Sequence, residues 1–66
     1  MKVFVNGEAR ELAAGTTVAA LLATMDLAGR RVAVEVNEDI VPKSRHAQLE
    51  LRDNDRIEIV HAIGGG

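Results

Sequence analysis

The sequence predicts a small α+β roll in which a mixed sheet of four to five strands packs on one helix. Three observations carry that expectation. Apolar residues alternate with polar ones around Val3 and Val5, around Val32, Val34 and Val36, and around Ile57 and Ile59, which is the period of strands with one buried face. A single stretch, Val18, Leu21, Leu22 and Met25, has the i, i+3, i+4, i+7 spacing of an amphipathic helix. The segments run two strands, a helix, then two or more strands, with no internal repeat, which makes the helix a crossover between a first hairpin and a later strand.

Taken in order, Lys2 to Asn6 forms the first strand, with Val3 and Val5 on one face and Lys2, Phe4 and Asn6 on the other. Asn6-Gly7 supplies the two positive φ angles of a two-residue hairpin, so Glu8 to Leu12 returns antiparallel. Ala13-Ala14-Gly15 breaks the pattern. Thr17 then caps a helix that Ala19, Ala20 and Ala23 favour, with Leu27 as its packed end and Gly29 as its left-handed stop. Arg31 to Asn37 is the third strand, and Asn37-Glu38-Asp39 turns into a short extended piece at Ile40-Val41. Pro42 confines that piece to an edge or a loop. Lys43 to His46 is expected as a solvated basic loop, and Leu49 and Leu51 as a short strand. Asp53-Asn54-Asp55 is a turn with Asn54 left-handed, and Arg56 to Ala62 is the last strand with Ile57 and Ile59 inward. The right-handed rule for parallel crossovers lets the first and last strands lie side by side.

Size and composition bound the function. A 66-residue chain holds one small core and has no room for a deep cleft. Its net charge of −2 gives no general attraction to nucleic acid or to an anionic membrane, so its expected partners are proteins. The absence of cysteine excludes a disulfide framework, a thiolate metal site and a thiol nucleophile. No secretion signal and no run of membrane-spanning length is read, and the chain is expected in the cytoplasm as a monomer when free.

The catalytic inventory is thin. His46 and His61 are too far apart in sequence for a compact metal motif and are expected to be structural or solvated. Ser44, the sole serine, has no assignable triad, and Asp53 and Asp55 read as turn formers before they read as an acid–base pair. Gly64-Gly65-Gly66 precedes no helix and is no phosphate cradle. It is read instead as a slender end, residues 64–66 after a globular body at 1–63. Having no side chain to bury, it is expected to be mobile in the free protein and able to pass through a channel too narrow for a side chain. Four extended residues from Ile63 reach about 13–14 Å at ~3.3–3.6 Å each. A carboxylate presented this way becomes reactive once an enzyme adenylates it with ATP. Sulfur attack then gives a thiocarboxylate and amine attack an isopeptide, so the residues point to a carrier rather than an enzyme.

At this point the chain resembles the ThiS family, sulfur carrier proteins of thiamin biosynthesis with a β-grasp (ubiquitin-like) roll. The resemblance covers essentially the whole chain. It rests on the element order, the Thr17-Val18 helix start, the run Val36-Asn37-Glu38-Asp39-Ile40-Val41-Pro42, the segment Asp53 to His61 and the terminal glycines. The MoaD-like subunits of molybdopterin synthase are usually longer and carry prolines before their glycine pair. The family commonly has glycine where Asn54 stands, a departure that leaves the turn feasible. The resemblance implies that Gly66 is adenylated by a ThiF-type activating enzyme using ATP and Mg. It further implies conversion to a thiocarboxylate with sulfur from a donor such as a cysteine desulfurase, and delivery to a ThiG-type thiazole synthase. Gly65 and Gly66 carry over as the functional pair, with Gly64 as part of the threaded tail and no cofactor or metal on the carrier. Molybdopterin synthesis and tRNA thiolation use the same tail chemistry and stay open as alternatives, as does a β-grasp module acting only by surface contacts. Phe4 and Val60, both of outward parity, are expected to form a partner-docking patch on the solvent face.

Overall fold

The computed structural model describes residues 1–61. The expected extension of the last strand to Ala62 and the tail Gly64, Gly65 and Gly66, with its expected mobility, lie outside the described residues. Strands β1 (Lys2–Val5), β2 (Glu8–Glu11), β3 (Val32–Val36), β4 (Asp39–Val41) and β5 (Arg56–His61) form one sheet in the order β2-β1-β5-β3-β4. The helix α1 (Val18–Thr24) connects β2 to β3, and a single 3-10 turn, Lys43–Arg45, follows β4. β1 and β5 are parallel, and every other pairing is antiparallel. This is the mixed α+β arrangement of a β-grasp fold.

Each hairpin follows from residues that tolerate left-handed backbone. Asn6 and Gly7 have φ of 50° and 85°, the mirror-image turn whose twist matches the strands it joins. Asn37 and Glu38 make the second such turn at 53° and 72°, so Asp39 belongs to β4 instead of the turn. The amino terminus closes the base of the first hairpin: the Met1 ammonium donates to the Leu12 carbonyl and Leu12 N–H to the Met1 carbonyl, both at 2.8 Å.

The core lies between the sheet and α1. Val3, Val5, Val34, Ile57 and Ile59 from the strands meet Val18, Leu21 and Leu22 from the helix, and Leu51 closes one side. Burying each such side chain stabilises by about 1.5–3 kcal/mol, so a chain this small depends on nearly all of them. Met25, Leu27, Val32, Val36 and Leu49 are partly buried against this cluster.

Three further expectations change. The helix stops on Asp26, not on Gly29. Met25 is the C-cap, Asp26 takes φ 60°, Asp26 N–H donates to the Ala23 carbonyl at 3.2 Å and Leu27 N–H to the Leu22 carbonyl at 2.8 Å. That pair of bonds is a Schellman closure with Leu27 as its packed apolar residue, and Gly29 (φ 77°) serves only the next turn. Leu49 to Leu51 does not form a strand: Glu50 makes one isolated bridge to Thr17, and the alternation of Leu49 and Leu51 reflects burial under the helix without ladder pairing. The Lys43–His46 segment is not a solvated loop: Lys43–Arg45 is the 3-10 turn, and His46, its C-cap, is buried, only 8% exposed, with its Nε2 3.0 Å from the Val41 carbonyl. No described helix is long and apolar enough to cross a membrane.

Candidate functional site

Two places where small domains often bind ligands are occupied by the fold itself. The helix N-terminus carries unpaired N–H groups in general, but here Val18 N–H donates to the Leu49 carbonyl at 3.0 Å and Ala19 N–H to the His46 carbonyl at 2.8 Å. Ala20 N–H donates to Thr17 Oγ1 at 3.1 Å, as the sequence predicts for a threonine cap. No first-turn donor is left for an anion. The carboxylates of the 53–55 turn are consumed as well. Asp53 Oδ1 accepts from Lys2 N–H at 2.8 Å, and Asp55 accepts from Asn37 Nδ2 at 2.9 Å and from Arg52 N–H at 2.7 Å. Both aspartates therefore lock the turn to neighbouring strands, and Asn54 at φ 70° completes it.

An open groove of about 770 Å³ runs between β4 and the 42–55 segment, floored by Val36, Val41, Leu49 and Leu51. Among its lining residues there is no cysteine, serine or histidine, and Asp55 is already engaged. Such a wall has no nucleophile–base pair to offer. His46 and His61 do not converge: the first sits under β4 and the second at the exposed end of β5.

The geometry instead directs attention to where β5 leads. β5 lies centrally, between β1 and β3, and its last described residue pairs with Val32 at the start of β3. β1 pairs with β5 only at Phe4 with Arg56 and Val5 with Ile57. Beyond that the Asn6 side chain takes over. Its Oδ1 accepts from Ile59 N–H at 2.8 Å and its Nδ2 donates to the Ile59 carbonyl at 3.2 Å, so the amide imitates one more peptide of the ladder. β5 is thus held on both sides through Ile59, and His61 is its last described residue.

On the face of the sheet opposite α1 stand Phe4, Arg56, Glu58, Val60, Ala33, Glu35 and Ile40, the neighbours in register of inward residues. Val60 is 59% exposed and Ile40 75%. Phe4 is half-buried with the Lys2 ammonium 5.5 Å above its ring. Phe4 and Val60 share this face without touching along the strand. Phe4 stands opposite Arg56, so Val60 lies four residues farther on, about 13 Å at a strand rise of ~3.3 Å. Sequence reasoning passes over Ile40, Glu35 and Glu58. Strand parity alone gives their outward direction, but only the order β5-β3-β4 makes them neighbours.

Comparison with known proteins places this architecture. The family described as "ThiS family" matches residues 3–66. A thiazole synthase of Paramagnetospirillum magneticum is 52% identical over 66 residues, covering 100% of this chain and 20% of that protein. The sulfur carrier protein ThiS of Escherichia coli is 36% identical over 66 residues, covering 100% of both. The crystal structure of a thiamine biosynthesis protein (ThiS) from Geobacter metallireducens superposes with a TM-score of 0.85 at 28% identity, covering 100% of each chain. The chain spans about a fifth of the length of the thiazole synthases it matches. With its element order, sheet topology and nearly its whole length shared with these proteins, the chain belongs to the ThiS family.

Proposed function

We propose that this chain is a sulfur carrier, a protein co-substrate and not itself an enzyme, which supplies sulfur for the thiazole moiety of thiamin. Residues 1–63 are the body and residues 64–66 the tail. In the first step a Gly66 carboxylate oxygen attacks the α-phosphorus of ATP on a ThiF-type activating enzyme. Pyrophosphate leaves and an acyl adenylate forms. The terminal sulfur of a persulfide on a donor such as a cysteine desulfurase then attacks the acyl carbon and AMP leaves; a thiol reductant supplies two electrons to cleave the resulting acyl disulfide, which frees the donor thiol and leaves a terminal thiocarboxylate for a ThiG-type thiazole synthase. Gly64 and Gly65 let the tail enter a foreign active site because they present no Cβ. Phe4 and Val60 belong to the surface that docks on a partner while the tail is threaded. We place the reaction in the cytoplasm, the compartment expected from the sequence.

The observation that carries this proposal is the alignment over the full length of both chains with a protein named as the sulfur carrier ThiS. The thiazole synthases among the relatives favour thiazole formation over molybdopterin synthesis or tRNA thiolation. The chemistry requires a free α-carboxylate on Gly66. With ATP, Mg, a cognate activating enzyme and a sulfur donor, the intact protein should gain the mass of one sulfur in place of one oxygen. Deleting Gly66 should abolish that gain and leave the unfolding curve unchanged. Thiolation that survives the deletion overturns the proposal. A deletion strain that grows without thiamin but lacks molybdoenzyme activity would reassign the pathway.

A further inference from the structure

Asn6 is the one asparagine of the chain followed by a glycine; Asn37 precedes Glu38 and Asn54 precedes Asp55. That pairing is chemically labile, because the backbone nitrogen of the next residue reaches the asparagine Cγ most easily when no Cβ shields it. Space around Gly7 is open: a Cβ built there would meet nothing within 4 Å. Both residues are exposed to water. What restrains the reaction is the fold. The Asn6 backbone N–H donates to the Ile57 carbonyl at 2.8 Å, its Oδ1 accepts from Ile59 N–H at 2.8 Å, and its Nδ2 donates to the Ile59 carbonyl at 3.2 Å. The amide is therefore turned toward β5, and bringing Cγ round to the Gly7 nitrogen breaks both side-chain bonds at once.

We propose that Asn6 is a site of spontaneous deamidation, held back in the folded protein by its bonds to Ile59, and that the modification loosens β5 and so limits how long a copy of the chain lasts. The Gly7 nitrogen adds to the Asn6 Cγ and gives up its proton; the bond from Cγ to Nδ2 breaks, and that nitrogen leaves as ammonia. The cyclic imide that remains takes up a water at either carbonyl. Opening one way gives aspartate; opening the other way gives isoaspartate, whose main chain runs through Cγ and is longer by a carbon. Neither product can do what the amide does. In aspartate a second oxygen replaces Nδ2, which stands 3.2 Å from the Ile59 carbonyl oxygen, so a donor–acceptor pair becomes two acceptors face to face. In isoaspartate Cγ belongs to the main chain, the amide is gone, and the two-residue turn no longer matches the strands it joins. β1 pairs with β5 only at Phe4 and Val5, so loss of the Asn6 clamp frees the Ile59 peptide on that side. The site is independent of the carrier role.

The test follows the full chain in mildly alkaline buffer at physiological temperature, folded and in guanidinium chloride, and reads ammonia loss and isoaspartate at each asparagine by peptide mass and chromatographic separation. In the unfolded chain Asn6 should convert while Asn37 and Asn54 lag far behind. In the folded chain conversion at Asn6 should be at least about tenfold slower, because the reaction waits for β5 to open. Asn6→Asp, the aspartate product made directly, should have a lower Tm than wild type. Gln48→Glu, which adds the same charge at an exposed position outside the sheet, should not. No conversion at Asn6 in the unfolded chain overturns the site, and a folded rate equal to the unfolded one overturns its restraint by Ile59. A Tm for Asn6→Asp no lower than that of Gln48→Glu overturns the loosening of β5.

Discussion

Asn6 does two jobs with one side chain and one backbone angle. Its φ of 50° starts the hairpin, and its amide pairs with both the N–H and the carbonyl of Ile59. The Asn-Gly pair shows in the sequence as a turn, because left-handed backbone at these two residues is a local property. The second job is not legible there, since Ile59 is 53 residues away and becomes a neighbour only through the parallel β1–β5 pairing. Two substitutions separate the roles. Asn6→Gly keeps the backbone angle and removes the amide, leaving the part-buried Ile59 peptide unpaired, and should destabilise by about 1–3 kcal/mol. Asn6→Ala adds left-handed strain of about 1–2 kcal/mol to that loss. Urea unfolding of the two variants measures both quantities, and equal midpoints for them would show that the turn carries no strain.

For the elements, periodicity predicts what is buried better than what is paired. The alternation of β3 and β5 gives strands because both edges of their backbone find neighbours in the sheet. Leu49 and Leu51 alternate just as clearly, yet their segment bridges only at Glu50: the Leu49 carbonyl accepts from Val18 N–H in the first turn of α1, and Leu51 N–H donates to the Thr16 carbonyl. Hydrophobic spacing reports the direction of side chains and says nothing of where the peptide groups go. The helix end shows a similar limit. Gly29 is the conventional stop signal, but the helix closes three residues earlier on an aspartate, a residue type that tolerates left-handed backbone less well than glycine. Asp26→Gly should therefore stabilise the protein by about 0.5–1 kcal/mol while keeping the Leu27 N–H bond to Leu22, a gain readable as a raised Tm. A lowered Tm would mean that the Asp26 side chain contributes more than its backbone costs.

On the scale of the whole molecule, the candidate site divides into a part written in the sequence and a part created by topology. The Gly64, Gly65 and Gly66 run is visible at once because its composition has no use in a core. The outer patch is not, because Glu35, Glu58, Ile40 and Val60 come from three strands whose order no local pattern encodes. The division has a consequence for mutants: a change in the tail should separate stability from activation. Val3, Leu21, Ile57 and their neighbours form a core among the described residues, and glycines have no side chain to add to it. Gly65→Val should then leave the unfolding free energy within about 0.5 kcal/mol of wild type, the usual effect of a change outside the core. It should also block adenylation, since a β-branched side chain cannot follow glycine through a channel fitted to bare backbone. Thermal unfolding and ATP–pyrophosphate exchange, measured on the same preparation, read the two effects independently. If Gly65→Val unfolds the domain, the tail belongs to the core and the separation of body from tail fails. If it folds and is activated at the wild-type rate, the channel is wider than glycine requires, and the glycines must be explained by something other than threading.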